Sequence, residues 1–388
     1  MQAESTHSHS SVAHMPEQSE RFPGVYKVLQ NAIALHAFPG CAFGVFADGE
    51  IVLEDALGRF TYESDAEPVE PHTVFDVASI TKVVSTTAAA MLLYQRGQLD
   101  LETPLGELLP GFVVGRENAK PARLVTLRHL LAHNSGLPGY VEFFRSVSTP
   151  AELYRACLEL PMETAPGERS EYSDPGFILL GKALEVLTGQ NLAVWTHNEV
   201  FEPLGLSATR FSPPVEQRAL IPPTEIDNWF RHRLIQGEVQ DENAWILNGA
   251  AGHAGVFSNV TDLLRFSAEI LSAFNRAGRQ DHGLLFDRET IECFAQRQVP
   301  DGSSRALGWD TPSQVSSAGS YFSRHSIGHL GFSGCSLWID LVGDVAAVLL
   351  TNRTWPDREC QAIREVRPAF HDAVMLALSG AKPSDLSN

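Results

Sequence analysis

Hydrophobic spacing predicts strands near both ends of the chain and mainly helices between them. Two apolar runs flank the pair Asp48-Gly49, which is a strong signal for a β-hairpin. Two further runs flank Gly343-Asp344 in the same way. Apolar residues three and four positions apart predict helices elsewhere. In chain order, the pattern predicts a helix over 24–36, strands over 41–46 and 51–57, helices over 79–97, 125–131, 151–159, 177–187 and 262–274, strands over 335–341 and 345–351, and a helix over 366–378.

Two segments are expected to lack regular structure. Residues 166–176 begin and end with Pro-Gly, which favours a loop. Residues 212–248 contain Pro213-Pro214 and Pro222-Pro223, and we expect long irregular coil there. A loop of that length in a compact protein is usually either functional or a misread element.

The order of the elements favours one antiparallel sheet built from both ends of the chain, an α/β protein of the α+β type with an inserted helical region. We predict one structural unit over residues 21–378. Its α/β part comprises 21–75 and 250–378, and its helical and loop part comprises 76–249. Residues 1–20 are polar and expected to be a disordered tail, and 379–388 form a second tail.

The helix that begins near Ser79 carries the first candidate chemistry. Ser79 and Lys82 are three residues apart and therefore share one face of a helix. A serine hydroxyl is a weak nucleophile until a neighbouring base takes its proton, and a lysine can be that base. The first turn of a helix also favours developing negative charge. The pattern alone is weak, since Ser379 and Lys382 show it in the C-terminal tail.

Three motifs together resemble those of the serine β-lactamase and penicillin-binding protein superfamily. They are Ser79-Ile-Thr-Lys82 at a helix start, Tyr172-Ser-Asp174 in a loop, and His329-Leu-Gly331 before a C-terminal strand. The forms of the second and third motifs are similar to the class C-like branch, which includes esterases and D-amino-acid peptidases. The supporting segments LLAHNSGLPGY and GEVQDENAWILNGAAGHAGVFSNVTDLLRF resemble that branch too, and the second is similar to DD-carboxypeptidases of the penicillin-binding protein 4B type.

The resemblance covers about residues 24–378 and implies a β-lactamase-like fold and an acyl-enzyme mechanism. It implies that Ser79 is the nucleophile, that Lys82 is its base, and that Tyr172 relays the proton to the leaving group. The backbone N–H groups of Ser79 and Phe332 would form the oxyanion hole. Gly331 would keep the strand edge open for substrate, and His329 would face the site.

Two residues depart from the family pattern. Asp174 stands where the second motif more often has Asn, and an ionised Asp174 raises the pKa of Lys82 and makes Lys82 a poorer base. His329 stands where β-lactamases have a Lys that holds the carboxylate of the drug. A neutral imidazole suits an uncharged ester better, and this preference is expected to narrow below about pH 6.5 as His329 gains a proton.

Three other polar residues are candidates for the pocket. His253 lies among glycines, and we favour backbone packing near the site over a catalytic role because glycines indicate close approach of the chain. Asp241 and Glu242 either line the pocket or are ordinary solvated acids.

Composition limits the partners. The 29 basic and 47 acidic residues give a net charge of −18, which argues against nucleic acid or an anionic membrane as partner. No metal-binding or phosphate-binding motif is present in the sequence, so we expect no cofactor and no metal. The five cysteines are scattered and no secretory signal is visible, which favours the cytoplasm, or the periplasm if the true start lies upstream. The oligomeric state stays open.

These observations favour a serine hydrolase that cleaves an ester or amide, with an esterase as the leading interpretation. A DD-carboxypeptidase, a D-aminopeptidase and a weak β-lactamase are alternatives on the same chemistry. A sensor or a silent binding protein, which keeps the fold without turnover, is the rival from another class.

Overall fold

The computed structural model describes residues 16–116, 119–275 and 285–380. Most of the tail predicted over 1–20 and of the tail over 379–388 lies outside these ranges. Within the described part, a short helix occupies Pro16–Arg21, and the last helix extends to Ser379.

Ten strands are present in the described residues. They are β1 (Gly40–Ala47), β2 (Glu50–Gly58), β3 (Phe75–Asp76), β4 (Arg210–Phe211), β5 (Glu225–Asp227), β6 (Arg233–Ile235), β7 (Val256–Ser258), β8 (Ser326–Leu330), β9 (Ser336–Asp340) and β10 (Val345–Thr351). The α-helices are α1 (Pro16–Arg21), α2 (Pro23–Ala34), α3 (Ala88–Gln95), α4 (Leu105–Leu108), α5 (Ala119–Ala122), α6 (Leu127–Leu131), α7 (Pro150–Glu159), α8 (Asp174–Thr188), α9 (Leu192–Thr196), α10 (Glu242–Ile246), α11 (Val260–Asn275), α12 (Arg288–Ala295) and α13 (Ile363–Ser379).

The main sheet confirms that both ends of the chain build one antiparallel layer. Its five strands lie in the order β2-β1-β10-β9-β8, so the first strand of the chain pairs directly with the last. Cys41 is opposite Thr351 in this pairing. The turn between β1 and β2 has Asp48 and Gly49 at positive φ, 55° and 82°, as the Asp-Gly signal predicts.

Alternating side chains of β1 and β10 fill a hydrophobic core on each face of the sheet. Ala42 and Phe46 of β1 pack in the larger core, on the side of α11, whereas Phe43 and Val45 pack in the smaller one with α2 and α13. Helices therefore cover both faces, and the larger core continues into the helical part.

The helix predicted from Ser79 is irregular around the candidate catalytic residues Ser79 and Lys82. A 3₁₀ turn covers Ala78–Ile80, a π-helical segment covers Lys82–Thr87, and regular α-helix follows over Ala88–Gln95. Side chains on every side of this helix are buried, which places it in the centre of the helical part. π-Helical turns of this kind often occur at functional sites.

Two predictions of irregular structure need correction. The loop expected over 166–176 ends earlier, because α8 begins at Asp174 with Ser173 as its N-cap. Pro175 lies in the first turn of that helix, where a missing N–H costs nothing. The coil expected over 212–248 contains a 3₁₀ helix at Val215–Leu220, the β5–β6 hairpin and the helix α10.

A small sheet brings the middle of the chain against the Ser79 segment. Strand β7 pairs with β3, which ends two residues before Ala78, and also with β4. No single helix of the described residues has the length and apolarity to cross a membrane, although the bent pair formed by Asp174–Thr188 and Leu192–Phe201 meets those criteria jointly.

Candidate active site

The backbone before Ser79 is held in an uncommon conformation by a buried carboxylate. Ala78 has φ = 48°, a left-handed value that is costly for a residue with a Cβ. Asp76 Oδ1 accepts a 2.8 Å hydrogen bond from the Ala78 N–H, and Asp76 Oδ2 accepts one of 2.8 Å from the Gln240 N–H. Burial raises the pKa of Asp76 to about 6. These bonds fix the turn that presents Ser79 at the start of the helix.

Lys82 is fully buried and all its donors are in use. Its Nζ lies 3.0 Å from Ser79 Oγ, 2.7 Å from Asp174 Oδ1 and 3.1 Å from the carbonyl oxygen of His253. Three acceptors match the three N–H bonds of an ammonium group. Burial lowers the pKa of Lys82, but the Asp174 carboxylate and Tyr172 outweigh burial and hold that pKa above its ordinary value. The geometry therefore describes Lys82 in its charged form.

Tyr172 completes this group. Lys82 Nζ lies 4.8 Å from the centre of its ring, and the Tyr172 hydroxyl is close enough to Ser79 and Lys82 for both to act on its pKa. Burial raises the pKa of Tyr172 above its ordinary value, although the Lys82 charge opposes this. Lys82 thus links Ser79 and Asp174 by hydrogen bonds and contacts the Tyr172 ring, so that two distant segments of the chain form one group.

The segment that carries Tyr172 is anchored by His133, which was not predicted as a site residue. His133 Nδ1 accepts a 2.9 Å hydrogen bond from the Ser173 N–H, and the His133 carbonyl accepts one of 2.8 Å from the Glu171 N–H. The imidazole ring lies between the rings of Tyr172 and Phe177, with centroid distances of 4.7 and 4.8 Å. Burial lowers the pKa of His133 well below its ordinary value. The available signal was the segment LLAHNSGLPGY.

The third motif lies directly against the Ser79 segment. A Cβ on Gly331 would come within 2.4 Å of the Val77 carbonyl oxygen, so only glycine allows this approach. Ser333 Oγ donates a 2.7 Å hydrogen bond to the carbonyl of Asp76. Phe332 lines the same cleft as Ser79, and its N–H has no hydrogen-bond partner within the described residues. This N–H is free to bind a substrate oxygen.

His329 occupies a different position from the one that the sequence suggested. It is 3% exposed, packs against Tyr172 with 5.8 Å between ring centroids, and is absent from the residues that line the cleft. Burial, together with the charges of Lys82 and Arg305, lowers the pKa of His329 well below its ordinary value. The expected gain of a proton near pH 6.5 is therefore wrong, since burial disfavours the charged imidazole.

The glycine-rich segment contributes backbone to the site. Besides the His253 carbonyl that binds Lys82, the Gly252 carbonyl accepts a 2.6 Å hydrogen bond from Thr86. A Cβ on Gly252 would lie 2.1 Å from the carbonyl oxygen of Phe177, which explains the glycine. The His253 ring bonds instead to Asp241, with Nε2 2.9 Å from Oδ1. This geometry favours the backbone-packing interpretation of His253.

The cleft above Ser79 has a volume of about 740 Å³ and is markedly acidic. Its walls include eight acidic residues and two arginines: Glu142, Glu171, Asp174, Glu225, Asp241, Glu242, Asp357 and Glu359, with Arg145 and Arg358. Arg145 pairs with Glu142, and Arg358 pairs with both Glu225 and Glu242. Asp241 and Glu242 therefore line the pocket, and both arginines are already paired with acids of the same cleft.

One group of carboxylates has the spacing of a metal site. Oxygens of Glu225, Asp227 and Glu242 lie within 4.8 Å of one another. Guanidinium groups already satisfy them, because Arg358 binds Glu225 and Glu242, and Arg231 Nε lies 3.1 Å from Asp227. This donor set is engaged in ion pairs.

An antiparallel sheet flanked by helices, with a Ser-x-x-Lys helix start facing a tyrosine, defines the class of serine hydrolases with a β-lactamase fold. The chain belongs to the beta-lactamase family, whose model matches residues 26–369. Members of this superfamily are hydrolases, and the present chain is one of them.

Individual relatives differ in their activities. The chain is 29% identical over 352 residues to N-acetylmuramyl-L-alanine amidase of Bacillus subtilis, covering 81% of this chain and 77% of the relative. It is 29% identical over 364 residues to a Salmonella typhi protein named "Putative D-alanyl-D-alanine carboxypeptidase", covering 84% and 81%. The structure of EstCE1, a hydrolase with promiscuous acyltransferase activity, matches with a TM-score of 0.71 at 21% identity, covering 93% of this chain and 100% of that one. The last comparison supports the fold.

Proposed function

We propose that the protein is a serine hydrolase that cleaves small uncharged esters through an acyl-enzyme on Ser79. The observation that carries this proposal is the contact of the buried Lys82 Nζ with Ser79 Oγ, at 3.0 Å. A buried amine in contact with a serine hydroxyl has a clear chemical use in proton transfer. The contact of Tyr172 with both groups supplies the route by which the proton reaches the leaving group.

Lys82 and Tyr172 share the proton transfer. While Lys82 is an ammonium and Tyr172 is a neutral phenol, neither group can accept the proton of Ser79. The reactive form is therefore the fraction of the protein in which this pair has lost one proton. Ser79 Oγ then attacks the ester carbonyl carbon, its proton passes to the pair, and Tyr172 returns a proton to the departing alcohol. Water then attacks the acyl-enzyme with the same proton transfers and releases the acid.

The oxyanion of each tetrahedral intermediate is proposed to lie between two backbone donors. The Ser79 N–H is in the first turn of the helix, and the unpartnered Phe332 N–H lines the same cleft. Donors that are already oriented toward the developing charge commonly supply a large part of the rate enhancement.

The charge of the cleft supports an uncharged substrate. A carboxylate entering it meets acidic walls and finds both arginines paired. We expect kcat/KM for a short ester such as p-nitrophenyl butyrate to exceed that for nitrocefin by roughly a hundredfold, the size of an unpaired buried charge.

A peptidase is the second candidate, because relatives carry the names of a D-alanyl-D-alanine carboxypeptidase and an N-acetylmuramyl-L-alanine amidase. The substrate panel therefore also includes N-acetyl-D-alanyl-D-alanine, which ends in a carboxylate, and D-alanine p-nitroanilide, which does not. Hydrolysis of the first peptide at a rate comparable with the esters would favour the carboxypeptidase and would contradict the argument from cleft charge.

The test of the mechanism combines labelling with turnover. A fluorophosphonate probe should label the wild-type protein on the peptide that contains Ser79, as shown by mass spectrometry. Ser79→Ala should abolish labelling and reduce ester turnover by about a thousandfold or more. Labelling without turnover would indicate a sensor that forms a stable acyl-enzyme. Ester turnover that survives in Ser79→Ala would overturn the assignment.

A further inference from the structure

Arg367 is a buried cation beneath the turn that carries the third motif. It projects from α13, is 7% exposed, and donates to three carbonyl groups of that turn. Its Nη2 lies 2.5 Å from the Gly331 oxygen and 2.9 Å from the Cys335 oxygen, and its Nε lies 3.3 Å from the Gly334 oxygen. Burial lowers the pKa of Arg367 to about 10, so the group is charged at neutral pH.

No carboxylate of the described residues forms an ion pair with Arg367. Buried charges are normally paired, because the loss of hydration is otherwise uncompensated. Neutral donors could also satisfy the carbonyl groups of this turn, so the turn alone does not require a buried positive charge. The location of the charge indicates its role.

The Gly331–Phe332 peptide connects Arg367 to the cleft. Its carbonyl oxygen accepts the shortest bond from Arg367, and its N–H belongs to Phe332, which lines the cleft and whose N–H has no partner among the described residues. A cation at the oxygen of a peptide polarises the whole unit and strengthens its N–H as a donor. The same bonds fix the plane of the peptide, and Gly331 holds it against Val77.

We propose that Arg367 is a positioning residue for the oxyanion hole, which acts through the Gly331–Phe332 peptide and adds a positive charge that no carboxylate of the described residues pairs with. This inference rests on the proposed function. The charge lies behind the backbone, where substrate does not contact it, so it favours the oxyanion of the transition state over the neutral ester of the ground state. It is thus expected to act on kcat rather than on KM.

The test compares Arg367→Lys, which keeps a positive charge, with Arg367→Gln, which keeps a donor without charge. Phenylboronic acid serves as the probe, because its tetrahedral adduct with a serine places an oxygen in the oxyanion hole. We expect Arg367→Gln to raise the Ki of phenylboronic acid and to lower kcat for p-nitrophenyl butyrate about tenfold, less than the loss of a direct donor. KM should stay within threefold in both variants. Arg367→Lys should keep Ki within threefold of the wild type.

Arg353→Gln is the matched control. Arg353 is also buried, but its Nε donates to the carbonyl of Phe332, at 2.8 Å, which belongs to the following peptide. It should lower the melting temperature without a tenfold change in Ki. Equal Ki values for the Lys and Gln variants of Arg367, or an equal effect in Arg353→Gln, would overturn the proposal.

Folding of the variants does not decide the result. If Arg367→Gln does not fold, a rise of more than tenfold in Ki for Arg367→Lys overturns the role of charge, and a Ki near that of the wild type supports it. Failure of the proposed function would appear earlier and separately, as a wild-type protein that the fluorophosphonate does not label.

Discussion

Asp174 Oδ1 accepts a 2.7 Å hydrogen bond from the Lys82 Nζ, and this pair is nearly withdrawn from solvent, with side-chain exposures of 14% and 0%. The carboxylate holds the pKa of Lys82 above its ordinary value. A buried lysine without such a partner would have a lowered pKa and would be a ready base. In this protein the ion pair with Asp174 keeps Lys82, which lies beside the nucleophile Ser79, in its protonated form.

Asp174→Asn is therefore predicted to move the pH dependence of catalysis. In the wild type, the pKa values of Lys82 and Tyr172 are both raised, so kcat/KM should rise with pH through the alkaline range. Removing the negative charge lowers the pKa of Lys82, and the rising limb should shift to lower pH by about one unit or more. The measurement is kcat/KM for p-nitrophenyl butyrate between pH 6 and 10.

Glu171→Gln is the control for that prediction. Glu171 is an exposed acid of the same cleft and has no contact with Lys82. Its removal should leave the position of the pH profile nearly unchanged. An unshifted profile in Asp174→Asn would show that the carboxylate does not control the base.

Lys82→Ala and Tyr172→Phe are predicted to be severe and strongly non-additive. Both side chains contact Ser79 and each other, so either loss disables the same proton transfer. The double variant should be about as slow as the slower single variant. Lys82→Arg should fail as well, because a guanidinium does not release its proton. If each single variant loses only a modest part of its turnover and the two factors multiply in the double variant, Lys82 and Tyr172 do not share one proton-transfer unit.

Gly331→Ala should impair catalysis with little effect on substrate binding. The new Cβ meets the Val77 carbonyl at 2.4 Å, so the backbone beside the Phe332 N–H must shift. We expect kcat to fall by about a hundredfold, comparable with the loss of an oxyanion donor. Gly24→Ala is the control, since its Cβ would make only an ordinary contact of 3.6 Å with Ala373. Wild-type kcat in Gly331→Ala would show that the third motif does not position the oxyanion hole.

Buried histidines are predicted to destabilise the protein in acid. Burial lowers the pKa of His371 to about 3, so the folded state keeps this ring neutral while the unfolded state gains a proton below pH 6.5. Its contribution is fully present above pH 6.5 and is lost as the pH falls from there toward 3. Relative to His371→Gln, the wild type should lose about 1.4 kcal/mol of unfolding free energy between pH 7.5 and 5.5.

Denaturant unfolding at the two pH values measures this difference. The comparison is made with the variant because Asp76, whose pKa is raised to about 6, contributes with the opposite sign in the same range. Identical pH dependence in the wild type and in His371→Gln would contradict the prediction. His329 and His133 should behave in the same direction, since burial lowers both of their pKa values.

The sequence alone determined the elements that depend on local patterns. Alternating apolar residues placed β1, β2, β9 and β10, and the Asp-Gly pair fixed the first hairpin because its backbone conformation is intrinsic to those residues. Helical spacing brought Ser79 and Lys82 together. The order of three motifs was sufficient to suggest the family, which the family match shows.

Other features depended on residues that are far apart in the chain. Lys82 and Asp174 are separated by 92 positions, and the direction of the Lys82 pKa follows from the distance between them. His329 looked like a titrating group from its sequence, whereas its burial makes it neutral. Neither His133 nor Arg367 was predicted as a site residue, because each acts on a backbone segment contributed by a remote part of the chain.

Local propensity and periodicity depend on residues that are close together in the chain, so the sequence predicts helices, strands and motif residues directly. Burial, charge state and close backbone approach are properties of the packed chain. The acidic cleft, the paired arginines and the glycine at the Val77 carbonyl therefore became visible only in the tertiary structure. The residue types of this protein indicate which chemistry is possible. The packing of distant segments sets the protonation states of the groups that carry out this chemistry.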